Sequence, residues 1–227
     1  MSNWLSLSKD QQLNLFNQIG DVTGLPPYAI EKDAWVTLVL RMLFASKLHD
    51  HIVFKGGTSL SKVYNLIERF SEDIDLAINR EYLGFDSELS KGEIRKLRRR
   101  SHDFSLNEIP LILTELFLKY GINPNLYEII VPNTKVSDQD PEIVHVNYKS
   151  VFGMETYLSS RILIEIGARS LNDPHEEKMV ESLIDTHHKG ASFAENPFII
   201  RTIVPEKTFL EKLILLHEEF HKPAEKI

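Results

Sequence analysis

Phe54-Lys55-Gly56-Gly57-Thr58-Ser59-Leu60 and, a short helix later, Arg69-Phe70-Ser71-Glu72-Asp73-Ile74-Asp75-Leu76 decide the fold. Ile52 to Phe54 is an apolar run that halts at paired glycines, and Thr58 to Leu66 carries a helical pattern. A strand, a glycine turn and a helix start present backbone N–H groups and the positive end of a helix dipole, both suited to phosphate. Paired glycines let the backbone approach a bulky anion. Asp73 to Ile78 then alternates polar and apolar, the mark of a half-buried strand. That period puts Asp73 and Asp75 on one face and Ile74, Leu76 and Ile78 on the other. Two carboxylates on one face suit a divalent metal, and the glycine corner suits nucleotide phosphates. The predicted chemistry is metal-assisted phosphoryl or nucleotidyl transfer. Either half alone is common in proteins without catalysis; order and spacing give the pair its weight.

Lys55-Gly56-Gly57-Thr58-Ser59-Leu60 together with Arg69-Phe70-Ser71-Glu72-Asp73-Ile74-Asp75-Leu76 closely resembles the AbiEii/AbiGii toxin family of the nucleotidyltransferase superfamily. Glu31-Lys32-Asp33-Ala34-Trp35-Val36-Thr37 is similar to the segment that precedes this motif in the family, and the resemblance runs from about Glu31 to Leu216. It implies an α+β, polymerase-beta-like fold: a mixed twisted sheet flanked by helices, with a helical C-terminal part. It implies an enzyme that moves a nucleoside monophosphate from a nucleoside triphosphate to an acceptor hydroxyl and releases pyrophosphate. The cofactor is Mg2+ or Mn2+, expected on Asp73, Asp75 and Glu165, with Lys212 completing the catalytic set. The expected nucleotide-binding residues are Lys55, Gly56, Gly57, Thr58, Ser59, Lys62 and Arg69, with Lys62 or Lys212 against the outer phosphates. It also implies a toxin of a toxin–antitoxin or abortive-infection system, with a cognate antitoxin and with RNA, tRNA for some members, as acceptor.

The family usually carries a fourth motif, an aspartate beyond the lysine helix, and nothing comparable precedes Ile227. The expectation is a truncated or a shorter protein, and it keeps a nucleotide-binding module without catalysis as an alternative.

At 227 residues the chain has room for one large domain, or for a core over 1–170 with a mostly helical part over 171–227. No cysteine is present, which excludes disulfides, thiolate metal sites and cysteine nucleophiles and fits a reducing cytoplasm. Met1-Ser2-Asn3-Trp4-Leu5-Ser6 lacks the pattern of a signal peptide, and no apolar run reaches the ~20 residues of a membrane span. The expected location is cytoplasmic, with no membrane partner. A net charge of −7 argues against bulk attraction to nucleic acid, so an RNA acceptor must be met locally.

Along the chain, Ser8-Lys9-Asp10-Gln11 fits a capping box for a helix expected to end at Gly20, and Gly24 to Pro27 is a break. Tyr28 to Leu48 is predicted as a long apolar helix with Glu31-Lys32-Asp33 as its solvated first turn. Lys91 to Arg100, the most basic run, is a solvated helix face or a phosphate-contacting one. Ile109 to Tyr120 is helical. Tyr127–Val131, Ile143–Tyr148, Arg161–Arg169 and Phe198–Val204 are strands, and His175–Lys189 is predicted as a polar helix. Glu165 is the single carboxylate of its apolar run, while Arg169 is free to meet phosphate or to pair with an acid. Pro205 opens a last helix. There Glu211-Lys212-Leu213 resembles the family's third motif.

A competing class comes from His217-Glu218-Glu219-Phe220-His221, formally the His-Glu-x-x-His pattern of a zinc metallopeptidase. The chain stops six residues later without a third ligand, and Pro223 interrupts the helix, so chance is the better account.

Overall fold

A computed structural model of the chain describes residues 3–67, 73–86, 88–132, 142–153, 159–169 and 171–221. Ser8 and Gln11 form the expected capping box of helix α1, Lys9–Thr23. Gly20 does not end this helix: it is buried within it, and an added Cβ would lie 2.9 Å from the Leu25 carbonyl. Gly24, at a φ of 73°, is the left-handed cap instead. Helix α2, Pro27–Phe44, starts on a proline at its first position and is buried almost throughout.

The first turn of α2 departs from expectation. Glu31, Lys32 and Asp33 are buried, at 1%, 1% and 9% exposure, because each has a distant partner. Glu31 accepts from the Ser150 hydroxyl at 2.5 Å and the Val151 N–H at 2.8 Å. Lys32 donates to the Ser159 carbonyl at 3.0 Å. Asp33 accepts from Lys62 at 2.5 Å and from the Leu183 N–H at 2.7 Å. Burial raises the proton affinity of Glu31 against the pull of its two hydrogen bonds. This turn is a polar clasp joining four stretches of chain.

Strand β1, Ile52–Lys55, leads directly into helix α3, Gly56–Lys62, and strand β2 follows at Ile74–Ile78. Helices α4, Lys91–Asn107, and α5, Ile109–Lys119, precede β3, Tyr127–Ile130, β4, Glu142–Tyr148, and β5, Arg161–Gly167. Then come β6, His175–Val180, the short helix α6, Leu183–His187, β7, Phe198–Ile203, and α7, Pro205–Phe220. Of the predicted helix over His175–Lys189, the first part, His175–Val180, is a strand, and only Leu183–His187 is helical. The strand's charged, alternately exposed residues belong to a sheet edge, where polar side chains discourage further pairing.

The strands form one mixed seven-stranded sheet in the order β3-β4-β5-β2-β1-β7-β6. β1 pairs antiparallel with β2 and parallel with β7, and β2 pairs parallel with β5. The expected boundary at residue 170 falls between β5 and β6, two strands of this sheet. Ile74, Leu76 and Ile78 of β2 and Ile162, Ile164 and Ile166 of β5 are buried with Trp35, Leu40 and Phe104 in one core. The opposite face of β2 and β5 is left for polar side chains.

Candidate active site

Cross-strand register brings the site together. Lys55, at the end of β1, lies opposite Asp75 of β2, and Asp75 lies opposite Glu165 of β5. Three strands thus set a cation and two acids in one row on the face away from the core. Glu165 sits on a central strand, between β4 and β2, and not on an edge. The alternation on either side of Asp75, with Ile74 and Leu76 buried, is what holds its carboxylate out of the core.

Gly56 follows Lys55 and is required twice over. Its φ is +77°, and an added Cβ would come 1.9 Å from Asp75 Oδ2. A glycine here lets the acid stand directly over the turn. The bend and the strand acid do converge.

Asp75 does not have ordinary acidity. Burial first, and the Glu165 charge second, push its carboxyl up to about 6 against the opposing pull of Lys55 and Lys212. A hydrogen bond between the two carboxyl groups adds to the rise. A rise of this kind is what a carboxyl shows when a second acid on the neighbouring strand lies against it in a desolvated spot.

Helix α7 closes the site. A cleft of ≈ 390 Å³ lies between the sheet and this helix, lined by Lys55, Asp75, Glu165 and Arg169 below and by Glu211, Ile214, Leu215 and Glu218 above. Glu211 reaches across to 3.8 Å from Lys55 and lies 4.0 Å from Lys207 on its own helix. Lys212 is not part of the lining, yet its charge is felt at Asp75. Sequence reading had passed over Glu211 as a wall of the cleft. The signal was present: Glu211, Ile214, Leu215 and Glu218 sit at i, i+3, i+4 and i+7, one face of a helix.

Other expected residues fall elsewhere. Asp73 precedes β2, is half-buried and does not line the cleft. Thr58 and Ser59 are buried at 2% and 0% exposure, and the Ser59 hydroxyl donates to the Gly56 carbonyl at 2.9 Å. Ser59 thus closes the turn in this structure, where it was expected to cradle phosphate. Gly57 is half-buried beside it. Lys62, expected against the outer phosphates, is paired with Asp33 at 2.5 Å. Arg69 lies outside the described residues.

Among the described residues, no group of three His, Cys, Asp or Glu side chains is placed to hold a metal ion. Asp73, Asp75 and Glu165 are thus not gathered as a ready trio. The Asp75–Glu165 pair nevertheless suits a divalent cation chemically, since hard carboxylate oxygens pressed together are relieved by one. His217 and His221 have ring centroids 4.4 Å apart on exposed positions of α7, with no third ligand among the described residues. The zinc peptidase reading gains nothing from them.

A mixed α/β sheet with an acid pair beside a glycine turn, walled by a helix whose lysine acts on the pair, defines a protein built around an anion-and-cation cleft. The chain matches the family described as "Nucleotidyl transferase AbiEii toxin, Type IV TA system" over residues 38–226, and it belongs to that family. Membership makes it a nucleotidyl transferase toxin of a type IV toxin–antitoxin system, a kind of system that includes a cognate antitoxin. No curated protein matches it in sequence. Among the described residues, no helix is long and apolar enough to cross a membrane.

Proposed function

We propose that the cleft transfers a nucleoside monophosphate from a nucleoside triphosphate to an acceptor hydroxyl, on a polymerase-beta-like core and with Mg2+ or Mn2+. The Asp75–Glu165 pair is the observation that carries this reading. Two acids from adjacent strands are held in contact, partly desolvated, at the end of a glycine turn and flanked by lysines. Such a pair is costly to keep in a fold for packing alone. The cleft also carries four acids, Asp75, Glu165, Glu211 and Glu218, against two lining cations, Lys55 and Arg169. A polyphosphate enters such a site favourably only with divalent cations, and Asp75 and Glu165 are the residues to hold them, with Asp73 beside the strand. Bound metal would neutralise charge on the phosphates and make the acceptor hydroxyl more acidic.

The chain's own residues have separable roles. Gly56 gives the phosphates room beside Asp75. Lys55 is held by Glu211 at 3.8 Å until a phosphate takes its place. Lys212 lowers the proton affinity of Asp75 and keeps that carboxyl closer to its metal-binding, charged form. Ile214 and Leu215 narrow the cleft from above and set apolar surface opposite the acid pair. RNA, including tRNA, is the proposed acceptor, and location in the cytoplasm follows from that substrate. Action in abortive infection would follow from depleting such an acceptor.

The test is to incubate the protein with each labelled triphosphate, Mg2+ and total RNA. One pool of RNA becomes labelled, and Asp75→Asn and Asp73→Asn each abolish the label while the circular dichroism spectrum is retained. Equal labelling by the parent and both variants sinks the reading. Binding of nucleotide with no transfer to any acceptor would favour a binding module.

A further inference from the structure

We infer that Arg169 is the cleft's fixed ligand for the polyphosphate tail of the nucleotide, a reading that rests on the function proposed above. Arg169 lines the cleft, is exposed, and among the described residues has no carboxylate partner. The other lining cation is engaged, since Lys55 faces Glu211 at 3.8 Å. The Arg169 guanidinium is thus the lining cation left open to a ligand in a cleft that also carries four acids.

The described backbone on either side of it is held by two cations. Arg80, just past β2, donates from Nε to the Ala168 carbonyl at 3.1 Å and from a terminal nitrogen to the Arg169 carbonyl at 2.5 Å. Lys207, at the start of α7, donates to the carbonyls of Leu171 and, at 2.7 Å, of Asp173. Ala168, whose carbonyl Arg80 meets, is fully buried. Arg80 thus anchors the backbone at Ala168 and Arg169, so the guanidinium extends from a held base and less of its ordering is left to a ligand. A planar guanidinium then offers two parallel N–H donors to phosphate oxygens.

Position selects the kind of phosphate. Arg169 lies four residues past Glu165, so its Cα is up to ~13 Å further along the chain at about 3.3 Å per residue. A triphosphate tail is long enough to run along the cleft from the acid pair to Arg169, a reach that suits it better than a single phosphate. The cleft, at ≈ 390 Å³, admits such a tail but not a folded polynucleotide, so the acceptor is not the expected source of this phosphate.

The test uses the full chain and inorganic tripolyphosphate with fixed Mg2+, which probes the tail without a base. Calorimetry should show binding to the parent, a loss of tenfold or more in Arg169→Gln, and an intermediate loss in Arg169→Lys. Lys189→Gln, at a solvent-exposed position paired with Glu181, should bind as the parent does. Thermal unfolding of all variants should match, since the guanidinium makes no contact that stabilises the fold. Equal binding by the parent and Arg169→Gln overturns the inference, as does no binding by the parent. A variant that binds tripolyphosphate normally but loses affinity for RNA would also overturn it, by moving Arg169 to the acceptor. Label transfer from triphosphates by the parent decides separately whether the proposed function stands.

Discussion

At the scale of the residue, Asp75 is the group whose chemistry is most altered by the fold. Its carboxyl is pushed up to about 6, by burial first and by Glu165 second. Raised proton affinity in the folded state has a definite sign. Between the ordinary value of 3.8 and about 6, the folded chain binds more proton than the unfolded one. The stabilisation this gives is complete below the ordinary value and is lost as pH rises through about 6. In metal-free buffer Asp75→Asn should therefore be more stable than the parent at pH 7.5, by about 1–3 kcal/mol, and the gap should close near pH 4. Urea denaturation at the two pH values reads this directly; a variant less stable than the parent at pH 7.5 would contradict it. Transfer activity should rise as pH passes about 6, because Asp75 binds metal well only when deprotonated. The face and the neighbours of Asp75 were legible in advance, since a period-2 pattern and a glycine pair are local signals. Its proton affinity was not, because it depends on Glu165, ninety residues away and brought alongside only by strand register.

At the scale of the element, the first turn of α2 shows why polarity misleads. Glu31-Lys32-Asp33 has the composition of a solvated turn, and composition carries no record of partners 29 to 150 residues distant. Similarly, β6 has the charge of an exposed helix but lies antiparallel to β7 at the sheet edge. Helices α1 and α5 and the first part of α4 were readable because apolar spacing and, in α1, a capping box are local; edge strands and buried ion pairs are not local. The clasp has an energetic consequence that can be measured. Lys62 and Asp33 have side-chain exposures of only 8% and 12%. Asp33→Ala leaves a nearly buried ammonium without its anion and the Leu183 N–H without its acceptor. Removing one partner of a buried pair costs about 3–5 kcal/mol. Lys62→Met added to Asp33→Ala should recover part of that loss, because the stranded charge is gone. A double variant less stable than Asp33→Ala by chemical denaturation would show that Lys62 has stabilising contacts beyond the pair.

At the scale of the whole molecule, the sheet and α7 contribute to the cleft in different ways. The floor is covalently near and tightly packed: β1, β2 and β5 are adjacent strands over a continuous core. The roof is a helix of which only Thr208 is buried, while Phe209, Leu210, Leu213, Ile214, Leu215, Leu216 and Phe220 remain exposed. A helix attached by so little apolar burial adds little to global stability, yet it supplies Glu211, Ile214, Leu215 and Glu218 to the lining and Lys212 to the field at Asp75. Stability and binding should therefore separate when α7 is removed. A chain ending at Val204 exposes a floor that is mostly polar, and its unfolding free energy should fall by about 1–2 kcal/mol, largely through the lost Lys207 bonds to Leu171 and Asp173. The rise in melting temperature that Mg–triphosphate gives the full chain should disappear with it, since that rise reports ligand bound to the folded state. If the shortened chain keeps the ligand-induced rise, the nucleotide is held by the sheet alone and α7 is not the roof of the site. If it fails to fold at all, α7 is bound to the sheet far more strongly than its single buried side chain allows.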